Sequence, residues 1–305
     1  MTPAKAVFVL HAGLGVVAAG VLLFALATAA GGLRFDAPSA AALAEACASL
    51  VVPDLSVGSV ASLALGSLAA AVFILGARSA VRQLLASRRI VRGLPRRGLG
   101  PDGAVLFAHA QPRAFCAGLL RPRIYLSTGA TSTLSADELG AVLAHEAHHA
   151  RVRDPLRVFV VRGVSDALFF LPAARKLAER HAALAEMAAD AAAVRKGGAQ
   201  PLASALLTFE AADPAVVGIA PERVDHLLGD RPAWQLPVAL LAWSLTALTV
   251  VAVITARLEA AQHGPALNVP LFAAEACMLL MAAAPVVFGG LGILGVRRVL
   301  ARRAA

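Results

Sequence analysis

Four stretches of this chain carry no charged side chain and are each long enough to cross a bilayer as a helix: Ala6 to Leu33, Leu55 to Ala77, Pro232 to Ala256 and Ala276 to Val296. No other feature limits the fold as strongly. A segment inside hydrocarbon must satisfy its own backbone hydrogen bonds, which for single segments means helix. The chain is 59% hydrophobic and only 15% charged over 305 residues, with a mean hydropathy of +0.73, which argues against a soluble protein. The sequence therefore predicts a mainly α, polytopic membrane protein with four transmembrane helices. Residues Ala25 to Ala30 resemble a signal-peptide cleavage site, but the apolar run before them is too long for a typical signal peptide. The first stretch is expected to stay as an anchor.

The formal net charge of +9 would suggest nucleic acid in a soluble protein, but here the arginines gather beside the spans. Arg78, Arg82, Arg88, Arg89, Arg92, Arg96 and Arg97 follow the second span, and Arg297, Arg298, Arg302 and Arg303 follow the fourth. The loop after the first span holds Arg34 against Asp36, Glu45 and Asp54. Together with Lys5, this asymmetry predicts that both termini face the cytoplasm, with the chain integral to the membrane. Membrane lipid is then an expected partner and direct nucleic-acid binding is not. The organisation that follows is a two-span hairpin over 1–77, a cytoplasm-facing domain over 78–231, and a second two-span hairpin with a basic tail over 232–305.

Small residues suit the spans to close packing: Gly13, Gly15 and Gly20 in the first, and Gly58, Ser62 and Gly66 at four-residue spacing in the second. His11 reads as a packed polar residue. The segment from Arg78 to about Arg97 has the composition of a basic amphipathic helix lying on anionic headgroups. Beyond it the period changes, and Ala104 to Ala110, Arg113 to Leu119 and Arg123 to Ser127 read as short strands of a small sheet. Cys47, Cys116 and Cys277 show no metal-binding spacing and are expected as small apolar packers. Leu156 to Leu171 is interrupted by Arg157, Arg162 and Asp166, so it is expected to pack on the cytoplasmic domain, entry into the membrane being the lesser alternative. Ala173 to Lys196 is strongly helical by propensity.

Between the strands and that helix lies Ser132 to Asp154, STLSADELGAVLAHEAHHARVRD, with His145, Glu146 and His149 in an HExxH motif. Ser135 and Glu138 form a capping box that starts a helix near Ala136, and Asp137 suits the positive end of its dipole. Leu139, Val142 and Leu143 give that helix an apolar face. His145 and His149, one turn apart, can share a zinc ion, while Glu146 is offset around the helix and suited to act as general base on a water. His148 lies about 100° round the helix from His149 and reads as a polar surface or supporting residue. A glycine and a third histidine continuing the motif would occupy positions 152 and 155, but those hold Val152 and Pro155, so the third ligand must come from elsewhere. Glu186 is the expected ligand, with Asp190 one turn on to orient a zinc-bound histidine, and Glu179 is the alternative. His181 is a candidate substrate or oxyanion contact. An edge strand beside such a helix could also hold an extended peptide by strand addition.

Ala114 to Ser127, Asp137 to Pro155 and Glu186 to Asp190 resemble the BlaR/MecR family of bacterial membrane zinc metallopeptidases, and more loosely the HtpX and CAAX-protease family. The resemblance implies a gluzincin-like zinc peptidase unit holding one Zn²⁺ through His145, His149 and Glu186, with Glu146 as base and Asp190 at the last position of the ExxxD element. It implies a metalloendopeptidase acting on a protein substrate, with cleavage of a transcriptional repressor as its role. Membrane-protein quality control, as the HtpX likeness implies, and a non-catalytic zinc-binding adaptor are the alternatives. The antibiotic sensors of the BlaR/MecR family carry an extracellular penicillin-binding domain after their last span. This sequence ends nine residues after Val296. Sensing of β-lactams by that route is therefore not expected, and control by a regulatory membrane partner is an open possibility.

Overall fold

The structure is a computed structural model and describes residues 2–49, 57–212, 236–261, 267–278 and 281. Its elements fall into two units, one over 1–19 and 71–247, the other over 20–70 and 248–305. Three described helices are long and apolar enough to cross a membrane: α1 (Pro3–Gly31), α3 (Val57–Gly93), of which Val60–Gly93 qualifies, and α9 (Val238–Ala260). The fourth expected span lies almost wholly outside the described residues. What is described there is a short apolar helix, Val269–Met278.

In the second unit, α2 (Ala40–Ser49) follows a two-residue strand β1 (Leu33–Arg34), which pairs in parallel with β6 (Leu267–Asn268). Helices α1 and α3 approach closely here. A Cβ on Gly66 would come within 2.6 Å of the Ala29 side chain, so the small-residue spacing read in the sequence has a packing consequence. Cys277 is exposed, not packed as expected.

In the first unit the long α3 departs from expectation. The basic stretch after Ala77 is not a separate surface helix: α3 runs unbroken to Gly93 because no proline interrupts it and arginine, leucine and alanine all favour helix. At 1.5 Å per residue its 37 residues span about 55 Å, well beyond the ~30 Å hydrocarbon core. Arg96 and Arg97 then lie in a strand that the sequence reading missed, β2 (Arg96–Leu99). With β3 (Val105–Phe107), β4 (Ala114–Ala117) and β5 (Arg123–Ser127) it forms a four-stranded sheet in the order β2-β3-β5-β4. β4 is antiparallel to β5 and forms one edge of the sheet. The turn after β4 needs Gly118, whose φ is +113° and whose added Cβ would meet the Arg121 carbonyl at 2.7 Å.

A short α4 (Thr128–Thr133) leads into α5 (Ala136–Val152), which starts where the sequence predicted and carries the full capping box between Ser135 and Glu138. Val142 and Leu143 are buried with Leu126, Ala130 and Leu134, and Leu139 packs against them, so the apolar face of α5 seals the sheet. Leu156 to Leu171 becomes α6 (Asp154–Ala167), only 14 residues long and half-buried, with contacts to α5 and to α7 (Pro172–Gly197). α8 (Ala199–Ala212) closes the unit: Leu202 packs with Ala141 and Ala144 of α5 and Ala193 of α7. Alanine on both helices is what lets α5 and α7 lie close enough for their polar side chains to meet. His11 of α1 is fully buried in this unit, as a packed polar residue.

Candidate metal centre

Helix α5 presents His145 and His149 on one side, one turn apart, with ring centroids 4.8 Å from each other. Their Nε2 atoms converge to 3.1 Å. Glu186 of α7 faces both: Oε2 lies 3.6 Å from His145 Nε2 and Oε1 lies 3.7 Å from His149 Nε2. One ligand atom from each of the three residues lies within 4.8 Å of the other two, a donor set of two imidazoles and a carboxylate that fits a zinc ion with one position open. Glu179, the alternative third ligand, is exposed instead and paired with Arg175 at 3.3 Å and Lys176 at 3.1 Å.

Each imidazole is held from behind by its own aspartate. Asp190, fully buried on α7, places Oδ1 2.9 Å from His145 Nδ1, though off the axis of a straight ring N–H bond. Asp154 places Oδ2 2.7 Å from His149 Nδ1. Pinning Nδ1 in this way leaves Nε2 of both rings as the metal-facing nitrogen. Asp154 is the residue sequence reasoning missed. Its signal was present in Asp154-Pro155, five residues past His149, where a proline at a new helix start makes the chain turn back. The turn itself is made by Arg153, which adopts the left-handed conformation (φ 55°, ψ 44°) and ends α5 while starting α6. Asp154 also meets Arg157 Nη1 at 3.5 Å.

The electrostatics favour positive charge between these groups. Burial pushes the His145 imidazole down, but the carboxylates of Asp190, Glu186 and Glu146 outweigh it and hold its pKa at about 9. A cation at the Nε2 atoms would satisfy the same field without the extra proton. Glu146 is held above the usual carboxylate range by burial, against the opposing pull of His145 and His149. The Cys116 backbone N–H on β4 adds a small opposing pull on the same carboxylate. Cys116 is half-buried. Burial first, then the Glu146 and Asp154 carboxylates, push its thiol up to about 12.

The triad and Glu146 line one open pocket of about 510 Å³, with Cys116, Val158 and His181 among its walls. His181 is almost wholly buried there, its ring 5.8 Å from that of Phe8, and its Nε2 has no hydrogen-bond partner among the described residues. Burial holds its imidazole below the ordinary value. His148 stands apart, half-buried, with Arg151 Nη2 3.1 Å from its Nδ1. The structure therefore brings together His145, Glu146, His149, Glu186 and Asp190, adds Asp154, and leaves Glu179 outside.

Residues 110–220 match the family model described as BlaR1 peptidase M56. The matched segment holds β4, β5 and α4 to α8, and so every residue of the site just described. This bears out the resemblance to BlaR/MecR-type metallopeptidases. With the three apolar helices it supports a membrane metallopeptidase. No solved structure matches the chain.

Proposed function

We propose, from the peptidase M56 match and the site it encloses, that this chain is an integral-membrane zinc endopeptidase cutting a protein substrate at or near the cytoplasmic face. The observation that carries the reading is the convergence of His145 and His149 Nε2 on Glu186 with Glu146 in the same pocket. A zinc ion held there by His145, His149 and Glu186 would polarise the scissile carbonyl and make a water acidic near neutral pH. Glu146 takes the proton from that water on its carboxylate and passes it to the leaving nitrogen. Asp190 and Asp154 keep the imidazoles in the ligating tautomer and orientation. The free edge of β4, beside Glu146, offers main-chain groups to a substrate segment laid down as an added strand.

The arginine-rich flank beyond Ala77 supports a cytoplasmic position for this unit, with both termini on the same side and the chain in the bacterial plasma membrane. The resemblance to BlaR/MecR-type metallopeptidases implies a cytoplasmic transcriptional repressor as the substrate, with a membrane partner as the source of regulation. The test compares cells carrying the native chain with cells carrying Glu146→Gln. The variant is expected to keep about one zinc, to lose peptide hydrolysis, to accumulate one intact DNA-binding protein and to alter a small gene set. Undiminished hydrolysis in the variant would refute the mechanism. Stabilisation of many membrane proteins with no defined gene set would replace the repressor with a quality-control role.

A further inference from the structure

A second recess of about 690 Å³ lies between α3 past its apolar half, α6, and the run from Phe115 to Leu119 that includes β4. It shares Phe115, Cys116, Pro155, Val158 and Arg162 with the metal pocket, so the two form one continuous depression. Its frame is tied together. Ser79 Oγ on α3 donates to Asp166 Oδ2 on α6 at 2.5 Å, and Gln83 Nε2 donates to Ser79 Oγ at 3.1 Å and to the Phe159 carbonyl at 3.4 Å. Gly76 reinforces the seam, since a Cβ there would lie 3.3 Å from that of Ala167.

The charge of the recess is unbalanced. Asp166 is the one carboxylate on its wall; it accepts a hydrogen bond from Ser79 and keeps its charge, which leaves two guanidinium groups against one carboxylate. Arg82 on α3 and Arg162 on α6 also line the recess, both exposed, and among the described residues no carboxylate pairs with either. Two guanidinium groups that pair with no carboxylate among the described residues, beside the edge strand β4 and in one depression with the metal triad, suit an anionic group on an extended chain. Guanidinium presents a planar fork of donors that matches a carboxylate in two-point contact, which a lysine could not reproduce.

We infer that this recess is a substrate subsite in which Arg82 and Arg162 select an aspartate or glutamate of the polypeptide lying along β4, a few residues from the bond that is cut. The inference rests on the peptidase reading above and names the substrate feature it selects. A lipid headgroup is the competing occupant. The arrangement favours peptide because Arg88, Arg89 and Arg92 offer exposed charge on the same helix without lining the recess, whereas Arg82 and Arg162 flank the strand edge and Arg162 reaches the metal pocket itself.

The test uses the full chain with Glu146→Gln, loaded with zinc and held in nanodiscs of zwitterionic lipid, and fluorescent twelve-residue peptides in which one glutamate is walked along a neutral sequence. Binding is read by anisotropy. At the favoured position, glutamate is expected to bind about tenfold more tightly than glutamine, in line with a charge-assisted contact. The paired reversal Arg82→Glu/Arg162→Glu should invert the preference towards lysine, while Arg89→Gln should leave it as it was. Zinc content and helix content check that each variant is folded. Equal binding of all peptides, no binding of any, or a glutamate preference that survives the paired reversal overturns the subsite. So does loss of the preference when phosphatidylglycerol enters the disc, since the arginines would then be lipid ligands. Hydrolysis by the native chain that needs Glu146 but ignores the acidic residue would sink the subsite alone. Absence of any such hydrolysis would sink the peptidase reading beneath it.

Discussion

The two halves of the depression on the first unit are built on opposite principles. In the metal half, both imidazoles are held from behind by buried carboxylates: Asp190 is fully buried, His145 nearly so, and the aspartates behind the rings fix which nitrogen faces the cavity. In the recess beside α3 the charged groups are exposed, and what is fixed is the framework around them, through Ser79, Gln83 and Asp166. Burial makes electrostatic interactions strong and unforgiving, whereas exposed charges contribute little to stability but can bias which partner is taken. The contrast teaches a division of labour, with chemistry placed where geometry is over-determined and selection placed where charge can be exchanged cheaply.

The sharpest way to break the comparison is Glu186→Ala. Removing the carboxylate that faces both Nε2 atoms should strip most of the zinc and lower turnover by on the order of a thousandfold or more, measured by metal analysis and peptide hydrolysis. Full zinc and activity would mean that the third ligand lies elsewhere. Next in size are Asp190→Asn and Asp154→Asn. Each keeps the shape but loses the charge behind a ring, and each should weaken zinc binding by about 10- to 100-fold in competition with a chelator. Asp190 is expected to cost more, because no water reaches it, while Asp154 is shared with Arg157. Equal losses would show that the two supports are interchangeable.

A thiol at the junction of the two halves gives a smaller, more local readout. With Cys47 and Cys277 replaced, alkylation should report Cys116 alone. The thiolate is the reactive form, and a thiol pushed up to about 12 stays protonated through neutral pH. Its rate should therefore be slow and climb steadily with pH past 9, where an ordinary thiol levels off. Glu146→Gln removes one of the charges that hold the thiol up and should speed alkylation by up to about tenfold, the worth of one pKa unit. A plateau near the ordinary thiol pKa would show that Cys116 is not confined by these carboxylates.

How much of this was readable beforehand follows the range of the forces involved. Helix α5, its capping box and the pairing of His145 with His149 are local, set within one or two turns of sequence, and the structure begins the helix at Ala136 as expected. The strand Arg123–Ser127 was equally local, a short β-favouring run set off by Arg121-Pro122. Spacing favoured Glu186 over Glu179 only weakly, through its pairing with Asp190, because both glutamates stand on the same side of α7, two turns apart. Only the packing of α7 on α5 puts one opposite the histidines and the other in solvent. β2 was missed because Arg96 to Leu99 has a charged, exposed sequence that is a strand only through pairing with β3. Asp154 was missed for a different reason, since its role depends on one unusual backbone conformation at Arg153.

That conformation supplies the smallest prediction. For an L-residue the left-handed region costs roughly 1–2 kcal/mol, and Arg153 adopts it at the exposed junction of α5 and α6. Its main chain does the joining: its N–H bonds to the Ala150 carbonyl at 3.2 Å, and its carbonyl accepts from Leu156 N at 3.0 Å and Arg157 N at 3.2 Å. Glycine keeps all of these bonds and removes the clash of Cβ, at the price of a looser unfolded chain. Arg153→Gly should therefore raise stability by about 1 kcal/mol or less in thermal unfolding, with zinc affinity unchanged. Arg153→Val should do the reverse, because a β-branched side chain resists positive φ, and the turn could relax only by moving Asp154 off His149. Zinc affinity should fall with it. If Arg153→Val left zinc affinity untouched while lowering stability, the turn would serve only to join two helices, and the hold of Asp154 on His149 would have to come from Pro155 and α6 alone.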